Sequence, residues 1–228
     1  MRLNKYLAQR GHGTRREAEQ LVKTGKVQVN GVVETNPGYA VADDDTVTVT
    51  GERVGERVEK AYILLNKPKD TVLGPEDPQG RKTIRQMLGD HVSQEAQPVR
   101  SVDRETLGLY LLTDDAELRK KLNDSKRAFR QVFQFTLDAE PSAEVLTEIG
   151  QTKSPTLHIS FARFTDGKLD VELQRGSLKA LRKILAEKGI QPTKTDRIYL
   201  AGLTKRDLPR GRFRRLDERE VRMLRHFT

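Results

Sequence analysis

The spacing of apolar positions divides the chain into a short first part and a longer second part. Leu3, Tyr6 and Leu7 fall on one face of a helix over residues 2–10, which Gly11 stops. Thr14 followed by Glu17 is a capping box, and Ala18, Leu21 and Val22 give a second helix its buried stripe. Gly25 ends that helix. VQVNGVV then sets Asn30-Gly31 between β-branched runs, a hairpin signal because both turn residues must accept positive φ. Alternation over TVTVTG, residues 46–51, predicts a further strand. The polar stretch 52–60 reads as a linker. A small helix-hairpin domain is therefore expected over 1–51 and a larger one over 61–228.

In the larger part, AYILLNKP reads as a strand closed by Pro68, and KTIRQMLG as a short helix. GLYLLT, residues 108–113, is a buried strand, AELRKKL a helix, FRQVFQFTLDAE a long alternating strand and AEVLTEI another helix. TLHISFARF and KLDVELQ flank Asp166-Gly167, a second hairpin signal. LKALRKILAEKG carries Leu178, Leu181 and Leu185 on one stripe, RIYLAGL is a strand and DEREVRMLR a final helix. Strands and helices interleave, yet hairpins recur. That combination favours an α+β fold with a mixed sheet over a doubly wound parallel one.

Composition narrows the function classes. There is no cysteine, which excludes a disulfide scaffold, a thiol nucleophile and a thiolate metal site. No apolar run approaches membrane length, and the polar start is neither a signal peptide nor an anchor, so a cytoplasmic setting and no membrane partner are expected. His12, His91, His158 and His226 show no metal spacing. A metal could sit on Asp43-Asp44-Asp45, but adjacent strand-end carboxylates point in different directions, and a solvated turn is the stronger reading. Glu76 and Asp77 read as turn acids. No metal is expected, and no Walker loop, G-x-S-x-G or dinucleotide fingerprint is present.

Charge changes the picture most. The net charge is +9. Residues 1–30 carry seven Lys/Arg against two acids, and residues 175–228 carry sixteen against six. Positive charge gathered at two ends suits a polyanion, since each neutralised phosphate releases a counterion. In the first part the candidates are Arg2, Lys5, Arg10, Arg15, Arg16, Lys23 and Lys26, with Arg15 and Arg16 in the first turn of a helix, where free N–H groups also suit a phosphate. For any one of them a solvated charged face is the competing reading.

The pattern R-L-x-K-x-L, then T-R-R-x-A, then G-x-V-x-V-N-G resembles the small RNA-binding module named after ribosomal protein S-four. The resemblance covers residues 1 to about 50 and implies that this part holds structured RNA. From about residue 61 onward, LLNKPKDTV, DPQGRKTI, SVDRETLGLYLLTDDAEL and LPRGRFRRL resemble, in order and spacing, pseudouridine synthases of the RsuA/RluB/RluF type. The implied fold is a small S-four-like module followed by a mixed, mostly antiparallel sheet flanked by helices. The implied activity is isomerisation of a uridine in ribosomal RNA, without a cofactor, by a monomer with a mobile N-terminal module.

The resemblance also implies site residues. Asp103, in V-D-R-E-T-x-G-L, takes the place of the aspartate that acts on the ribose. Read without the resemblance it is an ordinary loop residue. Arg182, in K-A-L-R-K-I, takes the place of the arginine that pairs with it, and would otherwise be a solvated helical arginine beside a leucine stripe. Such a pair would keep the carboxylate ionised and oriented. Phe133 takes the place of a tyrosine that stacks on the target base; a core aromatic on an alternating strand is the equal alternative. Lys179 and Arg104 are further RNA-contact candidates. The chain departs from the family pattern at Ser101, where an arginine is usual two residues before the aspartate, with Arg100 displaced by one. It departs again at Gln131 for lysine, Phe133 for tyrosine, and R-G-S-L-K-A over 175–180 for E-G-x-x-R-Q. These departures leave a second reading, a catalytically quiet relative that docks on ribosomal RNA during ribosome assembly.

Overall fold

The structure is a computed structural model that describes residues 1–55, 60–72, 74, 77–89, 95–124 and 127–226. His91, Glu76 and part of the expected linker, residues 56–59, lie outside the described residues. The chain forms two compact units, Met1–Glu59 and Lys60–Thr228.

The first unit contains α1 (Leu3–Gln9), α2 (Arg15–Lys23) and strands β1 (Val27–Val29), β2 (Val32–Val33), β3 (Val47–Val49) and β4 (Glu52–Arg53), in sheet order β2-β1-β3-β4. The capping box is formed: Glu17 N–H donates to Thr14 Oγ1 at 3.2 Å and Thr14 N–H donates to Glu17 Oε2 at 2.6 Å. Asn30 and Gly31 both take positive φ, 53° and 80°, as the tight hairpin requires. Asp45 is a turn acid with structural work, accepting from Asn30 Nδ2, Ala42 N–H and Tyr39 Oη. Leu3, Leu7, Ala18, Val22, Val27, Val47 and Val49 close a core between helices and sheet. Fully burying each of the larger side chains stabilises by roughly 1.5–3 kcal/mol.

The expected boundary at residue 51 needs correction. Thr50 and Gly51 take φ of 51° and 88°, turning the chain into β4, which pairs with β3. Val54 is buried in the same core. Polar residues at 52 and 53 hid this strand, because it lies on a sheet edge with both side chains exposed.

The second unit is a mixed sheet in the order β13-β5-β7-β11-β8-β10-β9, with β6 also on β7 and β12 on β11. Its elements are β5 (Tyr62–Lys67), α3 (Ile84–Leu88), β6 (Gln97–Val99), β7 (Leu107–Thr113), α4 (Ala116–Asn123), β8 (Gln131–Thr136), α5 (Ala143–Gly150), β9 (His158–Thr165), β10 (Lys168–Arg175), α6 (Leu178–Glu187), β11 (Lys194–Leu200), β12 (Leu203–Thr204), β13 (Phe213–Arg215) and α7 (Glu218–His226). Among the strands of the described residues only β7 and β11 pair in parallel, and they meet at Asp196↔Leu107 and Arg197↔Gly108.

Alternation sorts the side chains between two cores. Ile63, Leu65, Tyr110 and Leu112 face the core shared with α3, α5 and α6, while Leu64, Leu109 and Leu111 face the core shared with α4 and α7. Three sequence expectations differ from the structure. β8 stops at Thr136 rather than running to 140. β11 begins at Lys194 and turns at Ala201-Gly202 (φ 47° and 89°) into β12. The short strands β6 and β13 carry no alternation, one containing Pro98 and the other lying in a basic run. They form by pairing with β7 and β5.

Candidate active site

Asp103 lies in the loop between β6 and β7, four residues before the parallel junction of β7 with β11 at Leu107. Its Oδ1 accepts from Thr106 N–H at 2.9 Å and from Thr106 Oγ1 at 2.7 Å. This local turn fixes the side chain before any distant partner is added. Its Oδ2 accepts from Arg182 Nη1. Arg182 Nη2 reaches Thr106 Oγ1 at 3.2 Å and Thr195 Oγ1 at 3.3 Å. The arginine is thus held on three sides, by the acid, by the residue that orients the acid, and by β11.

Arg182 is delivered by α6. Ser177 caps this helix, accepting from Ala180 N–H at 3.2 Å, and Leu178, Leu181 and Leu185 bury its stripe against the sheet. Packing of that stripe turns Arg182 toward Asp103. The pair is half open, with side chains 42 % and 36 % exposed for Asp103 and Arg182. Its worth to folding is therefore small, roughly 0–1 kcal/mol as for other screened pairs. Its value is geometric. Partial burial pushes the Asp103 carboxyl upward; the Thr106 hydroxyl, the Arg182 charge and the Thr106 N–H outweigh it, and the pKa lies below the ordinary carboxylate value. An ionised, oriented carboxylate open to a ligand can attack carbon or take a proton without an external activator.

The cleft beside the pair has a volume of about 520 Å³ and is walled by Lys69, Leu107, Arg182, Ile190, Pro192 and Thr195, among others. That is within the usual size of small-ligand pockets, and its wall mixes apolar and polar side chains with three cations, Lys69, Arg182 and Lys194, and one acid, Glu105. No group of three or more His, Asp or Glu side chains that could hold a metal occurs among the described residues.

Gly108 explains the fixed approach of β7 to β11. Its φ is +97°, and a Cβ there would come within 2.2 Å of the Arg197 carbonyl oxygen and 2.3 Å of Asp196 Oδ1. Any side chain would push the two strands apart beside Thr106 and Thr195. Thr106, Thr195 and Gly108 were not singled out from sequence. Thr106 and Gly108 stand inside the V-D-R-E-T-x-G-L motif, which was the available signal; Thr195 gave none.

Phe133 is a correction. It is 1 % exposed, lies in the core with Leu181 and Leu185, and its ring centroid is 6.4 Å from that of Phe135. The ring offers no open face to a base. It sits on the inward side of β8 where alternation puts every second residue, so its role is packing beneath the helix that carries Arg182. Arg100 also turns away from the site. Its Nε and Nη2 donate to the Leu122 and Asp124 carbonyls at 2.7 and 2.6 Å, at the end of α4, where a cation suits the helix dipole. Ser101 Oγ lies 3.3 Å from Tyr110 Oη.

The basic candidates are placed unevenly. Arg2, Lys5, Arg15, Arg16 and Lys26 are exposed. Lys23 is exposed but pairs with Glu19 at 2.6 Å. Arg10 is half-buried, with its guanidinium carbon 3.5 Å from the Tyr6 ring centroid. Lys179 is exposed in the first turn of α6. Arg104 is engaged by Glu105 at 2.7 Å and lies 3.7 Å from Asp70.

Comparison with known proteins agrees with this geometry. The S4 domain pattern matches residues 1–47, and the RNA pseudouridylate synthase pattern matches residues 61–196. The chain is 32 % identical to the ribosomal large subunit pseudouridine synthase B of Bacillus subtilis, over 98 % of this chain and 95 % of that one. It is 24 % identical to the ribosomal small subunit pseudouridine synthase A of Escherichia coli K12, over 97 % and 98 %. A solved pseudouridylate synthase structure superposes with a TM-score of 0.64 at 21 % identity, covering 98 % of this chain and 99 % of that one. With matched patterns over both units and the aspartate–arginine pair in place, the chain belongs to the RNA pseudouridylate synthase family, enzymes that isomerise uridine to pseudouridine, and carries an S4 domain ahead of the synthase fold.

Proposed function

We propose that this protein converts a uridine of ribosomal RNA to pseudouridine, with Asp103 acting on the ribose and Arg182 holding that carboxylate ionised and aimed. The observation that carries the reading is the three-way contact of Asp103, Thr106 and Arg182, whose arginine lines the cleft. The reaction breaks the bond from the ribose C1′ to N1 of uracil, turns the base and joins C1′ to C5; C5 loses its proton and the freed N1 gains one, so the atoms balance. It is an isomerisation with no net redox change, so it needs no cofactor. A base in a helix is out of reach, so the target nucleotide is flipped out or taken from a loop. The exposed cations Arg2, Lys5, Arg15, Arg16 and Lys26 grip the RNA backbone, with Lys179 a further contact near the site. Both the RNA-binding module and the aspartate–arginine pair come from one chain, which favours action as a monomer, and an rRNA substrate favours a cytoplasmic setting.

The departures from the family pattern, at Ser101, Gln131 and Phe133, support a quiet assembly factor less well than a diverged enzyme. Each lies outside the trio that holds Asp103. Purified protein incubated with ribosomal RNA in the presence of a metal chelator is expected to form pseudouridine at a defined uridine. RNA bound tightly but left unmodified would overturn the proposal.

A further inference from the structure

Beneath the Asp103 loop lie two buried cations whose hydrogen bonds, among the described residues, go to carbonyl and amide oxygens rather than to carboxylates. Lys67, the last residue of β5, is 1 % exposed. Its Nζ donates to the carbonyls of Arg104 and Thr106, both at 2.8 Å, and of Pro68 at 3.1 Å. An ammonium has three donors, and all three are used. Arg197, on β11, is fully buried. Its Nε donates to the Leu109 carbonyl at 2.7 Å, and its Nη1 to the Arg100 carbonyl at 2.6 Å and to Gln131 Oε1 at 3.1 Å. Four carbonyls of the segment 100–109 are therefore taken by two cations, Lys67 gripping its middle and Arg197 its two ends. Among the described residues no carboxylate is hydrogen-bonded to either cation. A buried charge with no directly bonded carboxylate is costly, and a lysine or arginine used only to fill space would be replaced by leucine or methionine at lower cost.

We propose that Lys67 and Arg197 are positioning residues for the isomerisation, a two-cation cradle that holds the Asp103 loop by its carbonyls and sets positive charge under the carboxylate. The inference rests on Asp103 as the reacting group. It also gives a place to Gln131, the family's lysine position, whose side-chain oxygen here steadies Arg197. Burial lowers the Lys67 pKa to about 8; the charges of Asp103, Asp70 and Glu105 raise it, and that of Arg197 lowers it further. The ammonium is complete below that pH and is lost as pH rises through it. The cradle should then lose both a donor and a charge, and turnover should fall on the alkaline side.

The test is single-turnover conversion of a ribosomal RNA fragment, with Kd measured in parallel, for wild type, Lys67→Met, Lys67→Arg, Arg197→Lys and Asp103→Asn. Lys67→Met is expected to slow conversion at least about tenfold, the effect of one charge-assisted hydrogen bond, at an unchanged Kd and without the alkaline limb near pH 8. Lys67→Arg does not restore the rate, because a planar guanidinium cannot seat in a three-carbonyl socket built for an ammonium. Arg197→Lys keeps the charge, loses the reach to both ends of the loop and slows conversion at unchanged Kd; a full rate removes Arg197 from the proposal. Folded Lys67→Met with the wild-type rate and pH profile overturns it. Should Lys67→Met fail to fold, the wild-type profile decides, since a rate that stays flat through pH 8 also overturns it. Activity in Asp103→Asn would sink the reading of Asp103 itself, whereas an inactive Asp103→Asn beside a fully active Lys67→Met would sink only the cradle.

Discussion

The first unit and the Asp103 region hold their functional groups in opposite ways. In the first unit the cations stand outside a core built mainly from neighbouring turns of chain, and Arg2, Lys5, Arg15, Arg16 and Lys26 are exposed. Around Asp103 the acid is oriented by Thr106 three residues away and by Arg182 seventy-nine residues away, on a helix delivered by its own leucine stripe. Charges of the first kind act by number, and losing one gives a graded loss of binding. Groups of the second kind act as a unit, and losing one member disables the rest. Changes in the two regions should therefore separate affinity from turnover.

The largest separation is expected at the carboxylate. Asp103→Asn keeps the shape and the Thr106 contacts but removes the charge, and the single-turnover rate is expected to fall on the order of 10²–10⁴-fold, the usual weight of a positioned acid–base group. RNA affinity should be unchanged. A parallel fall in affinity would mean that the two regions do not divide the work.

Arg182→Met comes next. It removes a hydrogen bond to a charged group, which corresponds to a loss of roughly 10- to 100-fold in rate. The pH profile sharpens the test. In the wild type the Asp103 pKa lies below the ordinary carboxylate value, so the ionised form is complete at neutral pH and is lost only as pH falls through that lowered pKa. Without Arg182 the pKa rises, and the acid limb of the rate should move to higher pH. An unmoved limb would mean that Arg182 does not set the charge on Asp103.

Much of the first unit was legible because its signals are local. The Thr14–Glu17 box and the Asn30-Gly31 turn depend on residues within four positions of one another, and the Asp166-Gly167 turn is legible in the second unit for the same reason. The stripe of α6 was equally plain. Asp103 and Arg182 were reached through family resemblance, since neither loop nor helix periodicity marks them. What remained hidden depends on distant pairing. β4, β6 and β13 are short strands formed on neighbours already in place. Phe133 occupies a position where a base-stacking ring was expected, and only the packing of α6 over β8 shows that it is closed off. Thr195 became visible only when β11 was found to begin at Lys194 and run beneath Arg182.

Gly108 offers a test of that distant pairing. Gly108→Ala puts a methyl against the Arg197 carbonyl at a backbone conformation that L residues avoid. The expected cost is about 1–3 kcal/mol in urea denaturation, with turnover reduced because Thr106 and Thr195 separate. Unchanged stability would mean that the β7–β11 junction is looser than its geometry.

The smallest effects belong to the first unit. Arg15→Ala and Arg16→Ala should each weaken RNA binding modestly and lower the slope of log affinity against log salt by about 1 or less, while leaving the rate at saturating RNA intact. A lowered saturating rate would contradict the division between grip and chemistry.

The central claim is that the Asp103 carboxylate, held by Thr106 and Arg182, isomerises a uridine in ribosomal RNA. The most direct measurement is a map of pseudouridine across ribosomal RNA from cells lacking the gene, complemented with wild type or with Asp103→Asn. The account predicts a site that disappears on deletion, returns with wild type and stays absent with Asp103→Asn. A map unchanged by deletion, or a site restored by Asp103→Asn, would contradict it.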